Sequence, residues 1–183
     1  MVNREGNWIQ TYTGIKFYPF DPKIEDICLE DICHSLSMTC RFTGHCKSFY
    51  SVAQHSVEIY KECLKRGYDD NILKWALLHD AAEAYVSDVP RPIKQMLDYQ
   101  FGKCENNILS LIAKKYNLSD NIPKEVKEID TAILATEARY LMGDLTEWYL
   151  PEAEIDIEII PLDAIDSKLI FKVYLSIFKG EEF

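Results

Sequence analysis

The sequence of 183 residues has no apolar run approaching the ~20 residues of a membrane-spanning helix, so no span is expected. Its opening, MVNREGNWIQ, lacks the apolar core of a secretion signal, and a cytoplasmic protein is the expectation. Basic residues are in deficit: 20 Lys and Arg stand against 30 Asp and Glu, a formal net charge of −10. Binding along a nucleic-acid backbone rests on clustered Lys and Arg, so a nucleic-acid polymer is not an expected partner. A small anionic substrate stays open, because a metal ion and a few basic side chains reverse the field inside one pocket. The six cysteines, Cys28, Cys33, Cys40, Cys46, Cys63 and Cys104, form no C-x-x-C pair. Without a secretion signal they read as reduced thiols, several of them on buried helix faces. A structural zinc site from Cys33, His34, Cys40 and Cys46 would need spacings this stretch does not have. Internal repeats and low-complexity tracts are also missing.

What is present suits one domain of 1–183, long enough to bury a core without disulfides. Residues 8–18 are aromatic and β-branched around Thr13-Gly14, which predicts a β-hairpin closed by Pro19 and Pro22, within 8–22. A helical core follows over 24–146. Helices are expected over 24–38, from an N-cap at Ser48 to Arg66 with Gly67 as the stop, and from a cap at Asp69 or Asp70 onward. Pro90 and Pro92 mark a loop; 93–116 reads as helical with a break near Gly102. Pro123 suits the first position of a long helix reaching about Met142. The segment 151–161 alternates acidic and apolar residues, as an exposed strand or extended arm would, and a last helix spans about 162–179. The expected architecture is an all-α bundle with a short N-terminal β-hairpin.

His79-Asp80 ends a helix whose first half is strongly apolar. An ionised carboxylate in such a place is costly without a cation or hydrogen bonds. Neutral imidazole and carboxylate together are ligands for Mn, Fe, Co or Zn. One such pair is a weak signal. It gains weight from His55 on the preceding helix and from Asp130, which follows Ile129 at the edge of a core-facing stripe. Helix packing can gather groups from three helices round one point. Glu83, four residues after His79 and three after Asp80, shares their face on a helix and suits a general base or water-orienting group. Asp88 follows in the loop before Val89-Pro90.

The run His79-Asp80-Ala81-Ala82-Glu83-Ala84-Tyr85-Val86-Ser87-Asp88-Val89-Pro90-Arg91-Pro92-Ile93-Lys94 resembles the H-D-x-x-E-x-x-x-x-D-x-P-x-P-x-K stretch of HD-type 5′-deoxynucleotidases, in the HD-domain superfamily of metal-dependent phosphohydrolases. Cys40-Arg41-Phe42-Thr43-Gly44-His45, the segment from Phe49 through His55-Ser56, and the opening from Trp8 to Gly14 resemble the phage- and prophage-encoded branch. The resemblance covers roughly 8–145 and implies an HD-domain helical bundle. It implies that His55, His79, Asp80 and Asp130 bind one divalent metal (Co, Mn, Mg, Zn or Fe). It implies that Glu83 and Asp88 are catalytic, and that Arg41, Phe42, His45 and Lys94 contact substrate. Phe42 stands where the family usually has Trp, which keeps the ring and loses the indole N–H donor. The implied reaction is release of phosphate from a deoxynucleoside monophosphate. The alternatives are a deoxynucleoside triphosphate triphosphohydrolase with the same metal site and a non-catalytic nucleotide-binding module. The implied partners are a nucleotide substrate and a second copy of the chain, as in related deoxynucleotidases.

Overall fold

The structure is a computed structural model that describes residue 4 and residues 7–97, 99–150 and 155–178. It is mostly helical with one two-stranded antiparallel hairpin. Strands β1 (Ile9–Gln10) and β2 (Lys16–Phe17) pair Ile9 with Phe17 and Gln10 with Lys16. Gly14 takes a positive φ in the connecting turn. The hairpin is anchored by buried Asp31, which accepts hydrogen bonds from Thr13 N at 2.7 Å and Thr13 Oγ1 at 2.9 Å. Phe17 stacks on Tyr85 with ring centroids 3.9 Å apart.

The helices are α1 (Leu29–Met38), α2 (Val52–Lys65), α3 (Asp70–Leu78), α4 (Glu83–Val86), α5 (Arg91–Lys94), α6 (Tyr99–Lys115), α7 (Lys124–Leu141) and α8 (Ala164–Ser176). Helix α2 is the hub and packs against α1, α3, α7 and α8. Its buried face, with Val52, Ala53, Val57, Ile59, Tyr60 and Cys63, joins Trp75, Leu77 and Leu78 of α3, Ile129 and Ile133 of α7 and Phe171 of α8 in one core. Burial of apolar surface at about 25 cal/mol per Å² is the dominant favourable contribution there. No described helix is long and apolar enough to cross a membrane.

Several boundaries differ from those expected. The helix expected over 24–38 is a short 3-10 turn, Ile24–Asp26, then an extended step through Ile27 and Cys28 before α1. Tertiary contacts hold that step open: Cys28 N donates to the Tyr85 hydroxyl, and Lys115 Nζ donates to the carbonyls of Ile24 and Ile27. The cap of α2 is Ser51, whose Oγ accepts from Gln54 N at 3.1 Å, and not Ser48. The chain before it is tied down by Arg41 N donating to Tyr50 O and by an isolated bridge between Cys40 and Ser51. Asp69 caps α3 and Asp163 caps α8. Pro123 is the cap residue of α7, one place before the expected position. Helix α6 runs through Gly102 without a break.

The expected acidic arm begins in 151–154, outside the described residues, as does the end of the expected last helix at 179. From Ile155 the arm is extended and joins no sheet. Ile155 and Ile159 are buried while Asp156 and Glu158 are exposed, as the alternation requires. Side chains satisfy its backbone. Thr136 Oγ1 donates to Ile155 O and accepts from Ile155 N. Gln54 Nε2 donates to Ile160 O, and its Oε1 accepts from Leu162 N. The arm thereby straps α2 to α7 beside the residues described next.

Candidate metal centre

Three helices contribute to one point. His55 lies in the first turn of α2, His79 is the first residue past α3, and Asp130 lies on α7. Their ligand atoms all lie within 4.8 Å of one another, a group that can hold a metal ion. His55 Nε2 is 3.2 Å from Asp130 Oδ1. Asp80 Oδ2 is 3.2 Å from His79 Nε2 and 3.8 Å from His55 Nε2. Both imidazoles are buried. Among the described residues, neither Nε2 has an aligned hydrogen bond, although carboxylates face both at ion-pair distance. Buried polar atoms left in this way are rare and call for a partner. Two imidazole nitrogens and the Asp130 carboxylate, with Asp80 beside them, fit a divalent cation in both donor type and charge.

Each imidazole is oriented from behind. His79 Nδ1 is 3.0 Å from Ala76 O, the backbone contact that sets which nitrogen faces inward. His55 Nδ1 is 2.7 Å from Glu137 Oε1, and Glu137 is wholly buried. The other oxygen of Glu137 is 3.0 Å from Arg41 Nη2, while Arg41 Nη1 reaches 3.9 Å from Asp80 Oδ2. Glu137 therefore links Arg41, an expected substrate contact, to an expected ligand, His55. It lies seven residues after Asp130, on the same face two turns along α7.

The electrostatics follow from crowding. Burial and the Arg41 charge pull the His55 imidazole down, but Glu137 and the close Asp130 carboxylate outweigh them and hold it at about 9, above its ordinary 6.5. Burial likewise opposes the charge on His79, and Asp80 overcomes it. Burial raises Asp80, yet His79, His55 and Arg41 hold its carboxyl well below the usual range. Asp130 is lowered by His55 and His79 against its own burial. Glu83 goes the other way: burial first, then Asp80 and Asp88, push it up to about 9 from 4.5. Burial raises Asp88 as well. A cluster of acids pushed apart in this way is typical of a functional site.

A cavity of about 350 Å³ opens over these groups. Arg41, Phe42, Asp80, Glu83, Asp88 and Asp130 all line it. His45 is exposed in the loop and does not line the cavity. Lys94 does not line this cavity but a different pocket, its Nζ 2.7 Å from Glu105 Oε1 and 3.4 Å from Glu83 Oε1. Arg91 and Trp148, absent from the expected set, line the central cavity. The helix-face placement of Glu83 also needs adjustment. Residues 79–82 are turns closed by i to i+3 bonds, Ala81 N to Leu78 O and Glu83 N to Asp80 O, and not a continuation of α3. The tighter winding still carries Glu83 to the cavity. No cysteine joins a metal-type cluster among the described residues, and all six are free thiols.

No protein-family model matches the chain. It is 40% identical over 144 residues to the uncharacterized protein YfdR of Escherichia coli (strain K12), an alignment covering 78% of this chain and 77% of YfdR. It is 28% identical over 158 residues to an uncharacterized protein of Rhodobacter capsulatus, covering 81% of this chain and 77% of that one. Identity of that level across most of both chains shows a common family, and the chain belongs to the YfdR family.

Proposed function

We propose that the chain is an HD-type, metal-dependent phosphohydrolase that releases phosphate from deoxynucleoside 5′-monophosphates. The observation that carries this reading is the pair of buried, unsatisfied imidazole nitrogens of His55 and His79, facing Asp80 and Asp130 at the base of a cavity that also holds Arg41, Glu83 and Asp88. A structural metal site needs neither spare acids nor an open cavity; a hydrolytic one needs both.

His55, His79, Asp80 and Asp130 would hold the cation. Bound there, it supplies Lewis acidity toward a phosphoryl oxygen and makes water a better nucleophile. The protein's own groups do the rest. Arg41 is fixed by Glu137 on one side and Asp80 on the other, so its charge is aimed before substrate arrives, where negative charge builds on the phosphoryl oxygens. Glu83 keeps one oxygen near Lys94 and leaves Oε2 without a partner among the described residues. That oxygen is the site for orienting a water and taking its proton. Burial and the neighbouring acids raise its proton affinity in the cation-free chain, and a bound cation would favour the carboxylate form that can accept the proton of water. Asp88, at the cavity wall, handles the proton for the departing alkoxide.

The test is turnover. Purified protein with Mn²⁺, Co²⁺ or Mg²⁺ is offered deoxynucleoside mono- and triphosphates, and orthophosphate and triphosphate are measured. Orthophosphate from monophosphates is expected. Triphosphate from the triphosphates would replace the substrate, and no turnover with any of the three cations would overturn the reading.

A further inference from the structure

Distances lead away from the metal-type cluster to an aromatic pair. Arg41 Nη1 is 3.9 Å from Asp80 Oδ2, the Arg41 guanidinium sits 5.5 Å over the Phe42 ring, and the Phe42 centroid is 6.3 Å from that of Trp148. The last two rings are tilted by 52°, and both line the same cavity as the carboxylates. Leu134, one turn beyond Asp130 on α7, lines it too.

Both rings are held in place locally. Phe42 and Thr43 have φ of 53° and 56°, the left-handed region that bulky and β-branched residues avoid. Such backbone is strained and concentrates at ligand sites. It sets the Phe42 ring beside Arg41. Trp148 comes from the irregular segment after α7. There Asp144 Oδ1 accepts from both Thr146 N and Thr146 Oγ1, and Trp148 N donates to Leu145 O. These bonds make a compact turn that carries an indole, 41% exposed, to the cavity rim. A half-exposed indole tilted against a phenyl ring, with an arginine between them and the acids, is a surface for a flat π-faced group with wet polar edges.

We propose that Phe42 and Trp148 form a nucleobase subsite, the indole of Trp148 giving the stacking face and selecting base-bearing phosphomonoesters over the bare sugar phosphate. The proposal rests on the phosphohydrolase reading for its phosphate end and adds the group at the other end. The base stacks on Trp148 with Phe42 against its edge, and the phosphate then reaches Arg41. Stacking on an aromatic side chain tolerates any base, because every base has a π-face.

The experiment compares deoxyadenosine 5′-monophosphate with deoxyribose 5-phosphate, the same phosphomonoester without the base. The ratio of their kcat/KM values should fall about tenfold in Trp148→Ala and recover largely in Trp148→Phe, which keeps a ring. A ratio within about twofold of wild type in Trp148→Ala would overturn the subsite, since a merely structural role lowers both substrates together. If the protein hydrolyses neither ester, the phosphohydrolase reading is decided by the wider panel of mono- and triphosphates, and the subsite is judged by binding. Deoxyadenosine 5′-monophosphate should quench indole emission in wild type and not in Trp148→Phe, where Trp8 and Trp75 report the background. Equal quenching in both proteins, or none in wild type, refutes it.

Discussion

Replacing Glu137 by Gln should weaken the fold and the cation site together. The side chain is wholly buried, with one oxygen 2.7 Å from His55 Nδ1 and the other 3.0 Å from Arg41 Nη2. Gln keeps the shape but removes the charge that both partners face. Hydrogen bonds to charged groups are worth about 1.5–3 kcal/mol and neutral ones about 0.5–1.5, so two weakened contacts cost ~2 kcal/mol. For a chain of this size that lowers Tm by roughly 4–8 °C. Glu137→Ala is harsher, since stranding a buried charge costs about 3–5 kcal/mol. Loss of a group that orients a metal-binding imidazole typically costs about 10–100-fold in cation affinity. Thermal melts of chelator-treated protein and Mn²⁺ titration calorimetry read the two effects separately. Glu137→Gln with wild-type Tm and wild-type Mn²⁺ affinity would refute the linkage through Glu137.

Chelator-treated protein should lose stability as pH rises from 6.5 to 9. His55 is held at about 9, so its folded form keeps a proton that the unfolded chain gives up near 6.5; the contribution is full below 6.5 and lost through 9. That difference corresponds to ~3 kcal/mol. Glu83, also raised to about 9, works in the same direction from 4.5 upward, and urea melts at pH 6.5 and 9 measure the sum; equal midpoints contradict it. Glu83→Gln should lower phosphate release by ~10²-fold or more while Mn²⁺ binding persists, and full activity would remove Glu83 from the chemistry. Thr136→Val removes both hydrogen bonds to Ile155, so amide exchange should speed up over 155–160 before the core is affected; unchanged protection there would show that the arm is held by Ile155 and Ile159 alone.

Periodic segments were the legible part of the fold. The apolar stripes of α2, α3 and α7 stand where their spacing puts them, because each buries one face in the shared core. Boundaries set by tertiary contacts were not legible: the step at Ile27 and Cys28 depends on Tyr85 and Lys115, both distant in sequence. His55, His79 and Asp130 come together as the residue types suggested, with Asp80 beside them. Glu137 was visible in principle, as an acid in the apolar register between Ile133 and Leu141, but a helix glutamate is ordinarily solvated. Trp148 lies in an irregular segment with no period to read. Lys94 is drawn to Glu105 once α5 and α6 are packed, which its spacing from Asp88 does not reveal.

The most direct measurement of the central claim is cation stoichiometry by Mn²⁺ titration, with proton release followed in weakly buffered solution at pH 7. One ion per chain is expected, with release of protons as His55 becomes neutral to bind. Asp130→Ala and His79→Ala should each abolish that tight site, and a Cys33→Ser, Cys40→Ser, Cys46→Ser triple variant should retain it. Tight binding that survives both Asp130→Ala and His79→Ala, or that disappears with the cysteines, would contradict a metal centre built from His55, His79, Asp80 and Asp130.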